Sequence, residues 1–127
     1  MNKEDLKDKI SKASYIVTQE HGTEAPFSGE LLDIKEEGIF TCVCCGNELF
    51  SSDTKYDSGT GWPSFWDVLN ENSVGVEIDK SHGMIRTEVH CQKCSAHLGH
   101  LFLDGPMPTG KRYCMNSVSM QFKKSDK

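Results

Sequence analysis

The chain has 127 residues, of which 36% are hydrophobic and 26% are charged, and its formal charge is −5. This composition is too rich in apolar residues for an extensively disordered chain, and its acidity disfavours a protein that binds nucleic acid through phosphate contacts. No apolar run approaches the roughly 20 residues of a membrane-spanning helix, and residues 1–17 lack the apolar core of a secretory signal. We therefore expect a cytoplasmic protein of one domain, with no nucleic-acid or membrane partner.

The N-terminal part of the chain is predicted to be helical. Apolar residues recur at spacings of three and four over residues 3–20, and this stretch contains no glycine or proline. Residues 21–30 contain two glycines and a proline, which favours a loop that ends the helical part.

The rest of the chain is typical of short β-strands. The stretches “EGIFTC”, “SVGVEI” and “GMIRTEVHC” are rich in β-forming residues or alternate apolar and polar residues, and glycine-bearing turns divide them. We predict a small, mainly antiparallel β-core over residues 36–124, with a helical N-terminal segment of residues 1–24 packed on it. Together they form one domain of residues 1–124, and residues 125–127 form a frayed tail.

Four of the six cysteines form two C-x-x-C pairs, Cys42 with Cys45 and Cys91 with Cys94. A C-x-x-C turn can direct two thiolates to one side of a tetrahedral ion, so two such turns complete a closed Cys₄ site. Zinc suits four thiolates that undergo no redox change, although rubredoxin-like iron would also accept them. We predict one structural Zn²⁺ that links two distant hairpins. The alternatives are four unmetallated thiols or a redox-active pair, and Cys44 is left as a free thiol.

The sixth cysteine, Cys114, stands apart in “GKRYCMNSVSMQF”, whose alternation predicts one continuous strand. On such a strand Arg112, Cys114 and Asn116 share a face at intervals of about 7 Å. A neighbouring cation lowers the pKa of a thiol from its free value of about 8.5 and so raises the thiolate fraction. Cys114 is therefore a candidate activated nucleophile, and the alternative is a buried structural cysteine on an amphipathic strand.

Two histidines and a tryptophan could complete a site around this thiol. His97 and His100 follow the second cysteine turn closely, and a rigid turn could hold both imidazoles as proton donors near neutral pH. Trp62 lies in “GTGWPSF”, a loop able to display an indole as one wall of a small pocket. Each also has an ordinary alternative, because most tryptophans are core residues and most histidines are satisfied polar groups.

These segments together resemble a known family. “YDSGTGWPSFW”, “SHGMIRTEVHCQKCSAHLGHLFLDGPMPTGKRYCMNS” and the two cysteine pairs are similar to the type B methionine sulfoxide reductases over essentially residues 21–122. The resemblance implies a mainly β fold in which two antiparallel β-sheets form a small barrel-like core, with short N-terminal helices. It also implies an enzyme that reduces the R epimer of methionine sulfoxide, chiefly in proteins. We expect thioredoxin or a low-molecular-weight thiol as its reductant.

The resemblance assigns roles residue by residue. Cys114 takes the nucleophile's place and passes through a sulfenic acid, while His97 or His100 donates the proton or positions a water that does. Trp62 is similar to the tryptophan that packs on the substrate methyl group. The residues that match positions lining the site or organising its polar network are Arg112, Asn116, Asp104 and Phe102. The family's metal ligands fall on Cys42, Cys45, Cys91 and Cys94.

One position departs from the family pattern. Many members carry a resolving cysteine two residues before the pocket tryptophan, where this chain has Thr60. The usual intramolecular disulfide therefore cannot form, and we expect an external thiol to attack oxidised Cys114 directly. The alternative resolving thiol is Cys44.

Other functions remain compatible with parts of the pattern. The main rival is a zinc-linked β binding module without catalysis, which would not need Cys114, both histidines and Trp62 to share a cavity. A nucleic-acid-binding zinc ribbon is disfavoured by the acidic charge and the wide spacing of the cysteine pairs, and a thiol peroxidase has no use for an aromatic methyl pocket. A domain of this size can act as a monomer, which we expect here.

Overall fold

The computed structural model describes residues 8–20, 22–27, 29, 31–32, 34–80 and 85–124. Within these residues, helix α1 (Lys12–Glu20) is followed by nine strands and two 3-10 turns. The strands are β1 (Gly38–Cys42), β2 (Glu48–Ser51), β3 (Lys55–Tyr56), β4 (Ser64–Phe65), β5 (Val74–Asp79), β6 (Arg86–Cys91), β7 (His97–Phe102), β8 (Arg112–Met115) and β9 (Met120–Lys124). The 3-10 turns are Ser52–Thr54 and Ser117–Ser119. None of the helices in the described part of the chain is long and apolar enough to cross a membrane.

Helix α1 begins at a serine cap inside the segment predicted as helical. The Ser11 hydroxyl accepts a hydrogen bond from the Ser14 backbone N–H at 3.1 Å, which satisfies an otherwise unpaired donor at the helix start. The segment predicted to be helical, residues 3–20, is therefore interrupted at Ser11. Residues 1–7 and the predicted frayed tail, 125–127, lie outside the described residues. The helix buries Val17 and Thr18 and contacts β7 and the turn Ser117–Ser119.

The strands form two antiparallel sheets, which confirms the predicted fold class. One sheet has the order β2-β1-β9 and the other the order β3-β4-β8-β7-β6-β5. Strand β9 pairs with the whole of β1, from Gly38 opposite Lys124 to Cys42 opposite Met120. The end of the described chain is thereby hydrogen-bonded to the first strand of the core.

Aromatic side chains join the two sheets. Phe40 of β1 and Phe50 of β2 are both fully buried against Phe65 of β4, with ring centroids 5.0 Å and 4.3 Å away. Phe50 also packs on Tyr113 of β8 at 5.6 Å. Because Phe65 and Tyr113 lie in the six-stranded sheet, these contacts hold the strand that carries Cys114 against the smaller sheet.

The chain around Cys114 is not the single strand that the alternation predicts. Strand β8 ends at Met115, and β9 begins at Met120 in the other sheet. Between them the backbone N–H and the hydroxyl of Ser119 both donate to the Asn116 carbonyl, at 3.1 Å and 2.7 Å. Serine hydroxyls compete with strand hydrogen bonds in this way, and alternation alone does not reveal it. Strand β8 therefore carries Arg112 and Cys114, and Asn116 follows it at the start of the turn.

Candidate active site and metal centre

The four cysteines predicted as metal ligands lie together. Their sulfur atoms are all within 4.8 Å of one another, with Cys42 Sγ 3.6 Å from Cys94 Sγ and Cys45 Sγ 3.6 Å from Cys91 Sγ. A tetrahedral ion with Zn–S bonds of about 2.3 Å separates its sulfur ligands by about 3.8 Å. The donor set and its spacing therefore fit one metal ion held between two hairpins.

The two cysteine turns have the same backbone design. The Gly46 N–H donates to the Cys42 carbonyl at 2.9 Å, and the Ser95 N–H donates to the Cys91 carbonyl at 2.8 Å. The residue after each second cysteine has a positive φ, 80° for Gly46 and 65° for Ser95. Glycine adopts this conformation freely, whereas serine is strained there.

Cys44 lies outside this group of four. Its side chain is buried in the core, and its sulfur accepts a hydrogen bond from Gln19 Nε2 of helix α1 at 3.6 Å. The Cys44 carbonyl accepts a second bond from Lys9 Nζ at 3.2 Å. These contacts give Cys44 a structural role between the cysteine turn and the N-terminal helix.

Cys114 lies in the wall of a cavity of about 290 Å³. The predicted site residues that line this cavity are Trp62, His100, Phe102, Arg112, Cys114 and Asn116. Thr23, Thr60, Arg86 and Gly99 also line it, although the sequence did not point to them as pocket residues. The remaining predicted residues, His97 and Asp104, contact residues of the wall instead. The structure thus brings the thiol, an indole and an imidazole into one cavity.

The position of Cys114 is fixed from both sides by strand pairing. It lies opposite Ser64 of β4 and opposite His100 of β7. A Cβ atom on Gly99, the residue before His100, would overlap the Cys114 carbonyl. A glycine is therefore needed for β7 to approach the strand that carries Cys114 this closely.

A β-bulge brings the two histidines together. Residues three apart on a regular strand point to opposite faces. In β7, however, Gly99 pairs with Val89 and His97 pairs with His90, so two steps on β7 match one step on β6. The extra residue changes the alternation, and the rings of His97 and His100 lie 5.4 Å apart.

Each histidine also lies beside a carboxylate. His100 Nε2 is 3.1 Å from Asp79 Oδ2 of β5, and the same oxygen is 3.5 Å from the Arg86 guanidinium. His97 is almost fully buried, and its Nδ1 lies 3.5 Å from Glu88 Oε1. The Asp79 carboxylate orients the imidazole that faces the cavity.

Arg112 is held by two groups that the sequence had placed in the site. Its Nε and Nη2 atoms donate to both oxygens of Asp104, at 2.8 Å and 3.1 Å, and its guanidinium carbon lies 4.3 Å from the centre of the Phe102 ring. The guanidinium lowers the pKa of the Asp104 carboxyl by hydrogen bonding. Asp104 therefore acts on the cavity through Arg112.

Asn116 uses its amide to join neighbouring segments. Its Nδ2 donates to the Leu98 carbonyl at 2.9 Å, and its Oδ1 accepts from the Glu24 N–H at 2.9 Å. Its side chain is thereby locked at the cavity wall.

Known proteins match this chain over most of its length. The SelR domain matches residues 10–124. The peptide methionine sulfoxide reductase MsrB of Hahella chejuensis is 53% identical over 97% of this chain and 88% of its own length. The MsrB of Methanosarcina barkeri is 55% identical over 96% of this chain and 86% of its own, and that of Escherichia coli is 55% identical over 94% and 87%.

The chain belongs to the MsrB family. Among solved structures, the Mis18 “Yippee-like” domain is similar to this MsrB chain with a TM-score of 0.57 and 20% identity, covering 72% of this chain and all of that domain. At this identity the likeness concerns the fold alone.

The electrostatics of Cys114 in this MsrB chain differ from the prediction. Burial raises the pKa of the Cys114 thiol, and the Thr60 hydroxyl, the Arg112 guanidinium and the Ser64 hydroxyl oppose this rise without cancelling it. The expected lowering by Arg112 is present, but it is smaller than the cost of removing a thiolate from water. Burial thus favours the protonated form of the Cys114 thiol.

A chain of hydroxyl groups leads to this thiol. The Ser58 hydroxyl lies 2.7 Å from the Ser64 hydroxyl and 2.8 Å from the Thr60 hydroxyl, which in turn lies 3.9 Å from Cys114 Sγ. The Thr60 hydroxyl therefore lies beside the Cys114 sulfur.

Sequence reasoning also missed Asp79 and Arg86, which pair with each other beside His100. Their only signal is the alternation of β5 and β6, which indicates a hairpin. The register that places Asp79 opposite Arg86 depends on the length of the turn between the two strands.

Proposed function

We propose that this protein reduces methionine-R-sulfoxide in proteins to methionine, with Cys114 as the nucleophile. Membership of the MsrB family supports the reaction, and the cavity that combines Cys114 with Trp62 and His100 supports the assignment of the thiol. The cavity is the observation that carries the proposal, because a binding module without chemistry needs no thiol in an aromatic pocket beside an imidazole.

The proposed first step reduces the sulfoxide at the expense of the Cys114 thiol. The Cys114 sulfur attacks the sulfoxide sulfur and forms an S–S bond, and the S–O bond of the substrate breaks as the oxygen is protonated and leaves as water. Water then attacks the Cys114 sulfur, and the S–S bond breaks with its electron pair on the methionine sulfur, which leaves Cys114 as a sulfenic acid and releases methionine. The thiol supplies both electrons, so the step needs no other reductant. The oxygen must be protonated as its bond to the substrate weakens, and His100 is the proposed donor, with His97 behind it.

The proposed substrate contacts follow from the cavity wall. The Trp62 indole packs on the methyl group of the sulfoxide, and Phe102 forms part of the same apolar wall. Arg112, held by Asp104, places a positive charge near the polar S–O group and the developing thiolate. Asn116 completes the wall.

We further propose that the four-cysteine group holds Zn²⁺. Four thiolates at this spacing suit a redox-silent tetrahedral ion, and the bound ion would contribute to folding rather than to the reaction. Cys42, Cys45, Cys91 and Cys94 are the proposed ligands.

Recycling is proposed to depend on an external thiol, either thioredoxin or a low-molecular-weight thiol. One thiol attacks the sulfenic acid and releases water, and a second thiol reduces the mixed disulfide and frees Cys114. Cys44 packs on helix α1 rather than in the cavity, which supports an external thiol over Cys44 as the resolving group. The monomeric state and the cytoplasmic location stay predictions.

The experiment uses the two epimers of methionine sulfoxide separately, with dithiothreitol as reductant. We expect turnover of the R epimer by the wild type and none by Cys114→Ser, with the metal content of the variant unchanged. Equal turnover of both epimers, or activity in Cys114→Ser, contradicts the proposal. If the metal-loaded protein reduces neither epimer, the result supports the alternative of a binding module without catalysis.

A further inference from the structure

Glu24 makes hydrogen bonds to three separate parts of the site region. Its backbone N–H donates to Asn116 Oδ1 at 2.9 Å, and its backbone carbonyl accepts from the Trp62 indole N–H at 3.0 Å. Its carboxylate oxygen Oε1 accepts from the Val118 N–H at 3.0 Å. One residue thus connects the cavity tryptophan, the cavity asparagine and the turn that follows β8.

The backbone bonds of Glu24 determine how two cavity walls are placed. An indole N–H at a protein surface can rotate toward water unless a fixed acceptor holds it. The Glu24 carbonyl is that acceptor for Trp62, and the Glu24 N–H restrains the amide of Asn116. The position of the Glu24 backbone therefore sets the orientation of both side chains.

The carboxylate of Glu24 anchors this backbone. Burial raises the pKa of Glu24, and the hydrogen bond from the Val118 N–H opposes the rise. A Cβ atom on Gly29 would overlap both the Ser117 hydroxyl and the Glu24 carboxylate, so the chain closes tightly over this group. A carboxylate enclosed in this way is held in place, because moving it would leave the Val118 N–H without its acceptor.

A second bond holds the same segment to the tryptophan loop. The Phe27 N–H donates to the carbonyl of Gly61, the residue before Trp62, at 2.7 Å. Glu24 therefore binds the Trp62 indole, and Phe27 binds the backbone just before Trp62. The Glu24 carboxylate lies at one end of this short segment.

We propose that Glu24 is a positioning residue for substrate binding, whose carboxylate anchors the segment that orients Trp62 and Asn116 in the sulfoxide cavity. This inference deepens the proposed function and rests on it. Glu24 does not contact the reacting sulfur atoms, so its loss acts on the affinity for the sulfoxide more than on the chemical step.

The test compares Glu24→Ala, Glu24→Asp and Glu24→Gln with the wild type. Glu24→Ala removes the anchor, and we expect KM for methionine-R-sulfoxide to rise about tenfold while kcat changes less than about twofold. Glu24→Asp keeps the charge but is one methylene too short to reach Val118, and we expect a rise in KM of about threefold. Glu24→Gln keeps an oxygen acceptor at the same reach, so its KM should stay within about twofold of the wild-type value. The exposed glutamate Glu71 provides the matched control, Glu71→Ala, with unchanged KM.

A second readout follows the indole directly and needs no turnover. The chain has two tryptophans, so a Trp66→Phe background leaves Trp62 as the single emitter. We expect Glu24→Ala in this background to shift the emission to longer wavelength and to raise acrylamide quenching about twofold, with Glu24→Gln unchanged.

The outcomes separate the inference from the proposed function. A Glu24→Ala protein that only melts earlier, with wild-type KM and wild-type quenching, overturns the positioning role. Loss of affinity in Glu24→Gln equal to that in Glu24→Ala also overturns it, because the hydrogen-bond acceptor would then not be the relevant property. If the wild type fails to reduce the R epimer, the proposed function falls, and the quenching result still decides whether Glu24 orients Trp62.

Discussion

His100 and Cys114 lie directly opposite each other on the adjacent strands β7 and β8. Side chains paired in this way have Cβ atoms about 5 Å apart, so the thiol and the imidazole can reach one small substrate group together. Asp79, from β5 two strands away, reaches the same imidazole. The strand register therefore builds a thiol, an imidazole and a carboxylate into one rigid sheet.

Asp79→Asn is expected to lower kcat about tenfold and to leave KM within about twofold, because the variant misorients His100 but does not touch the methyl pocket. Steady-state kinetics with methionine-R-sulfoxide measure both constants. Glu77→Gln, an exposed position on the same strand, is the control and should behave as wild type. A change in KM alone would contradict an effect on the proton donor.

The rate at which iodoacetamide alkylates Cys114 is expected to rise with pH, with a midpoint above the free-cysteine pKa of about 8.5. Burial raises the pKa of this thiol, so the reactive thiolate is depleted at neutral pH and increases as the pH rises. Thr60→Val and Arg112→Ala should each move the midpoint further up, because both remove groups that lower this pKa. Mass spectrometry of the Cys114 peptide follows the reaction, and a midpoint below pH 8 in the wild type would be inconsistent with a buried, protonated thiol.

After one turnover without reductant, the wild type is expected to hold Cys114 as a sulfenic acid that dimedone traps. In Thr60→Cys, a disulfide with Cys114 should replace it, because the Thr60 hydroxyl already lies 3.9 Å from the Cys114 sulfur. Intact mass and peptide mapping distinguish the two products. Cys44→Ser serves as the control and should still give the dimedone adduct, whereas a Cys44–Cys114 disulfide in the wild type would exclude direct attack by an external thiol.

Cys45→Ser is expected to lose the bound metal and to destabilise the protein by about 3 kcal/mol or more, because metal binding energy is folding energy in such sites. Cys44→Ser should keep its metal, since Cys44 is not in the group of four sulfurs. Metal analysis and thermal unfolding of both variants test the assignment. If Cys45→Ser keeps its metal and Cys44→Ser loses it, then Cys44 rather than Cys45 is the metal ligand.

Ser95→Gly is expected to stabilise the metal-loaded protein by about 1 kcal/mol, which corresponds to a rise in Tm of about 3–5 °C. The reason is the positive φ of Ser95, which the matching position in the other turn satisfies with Gly46. The reciprocal change, Gly46→Ala, should lower Tm by a similar amount. A lower Tm for Ser95→Gly would mean that unfolded-chain entropy outweighs the strain.

The elements that the sequence predicts well are those with local signals. The spacing of Cys42, Cys45, Cys91 and Cys94 predicts the four-sulfur group, and alternation predicts strands such as β5 and β6. Local signals failed where a few side-chain hydrogen bonds redirect the backbone, as at Ser11, which restarts the helix, and at Ser119, which ends a predicted strand.

The parts of the site that the sequence did not predict depend on long-range register. The bulge in β7 unites His97 with His100, and the β5–β6 pairing delivers Asp79 to His100. Glu24 reaches residues 92 and 94 positions away along the chain. No periodicity within one segment encodes such contacts, because they are set by how separate strands align. The sequence also predicted the wrong direction for the Cys114 pKa. Burial of the thiol raises this pKa, and neighbours along the strand do not reveal how deeply a side chain is buried.

Strand β8 has a partner on each side, so the backbone at Cys114 cannot swing outward to meet a second protein. Cys114 lines the cavity that also holds Trp62. We expect methionine sulfoxide and the thiol reductant to reach the Cys114 sulfur through this cavity one after the other, so that methionine leaves before a thiol binds. Kinetics with both reactants varied should accordingly give parallel double-reciprocal lines, the signature of a ping-pong cycle.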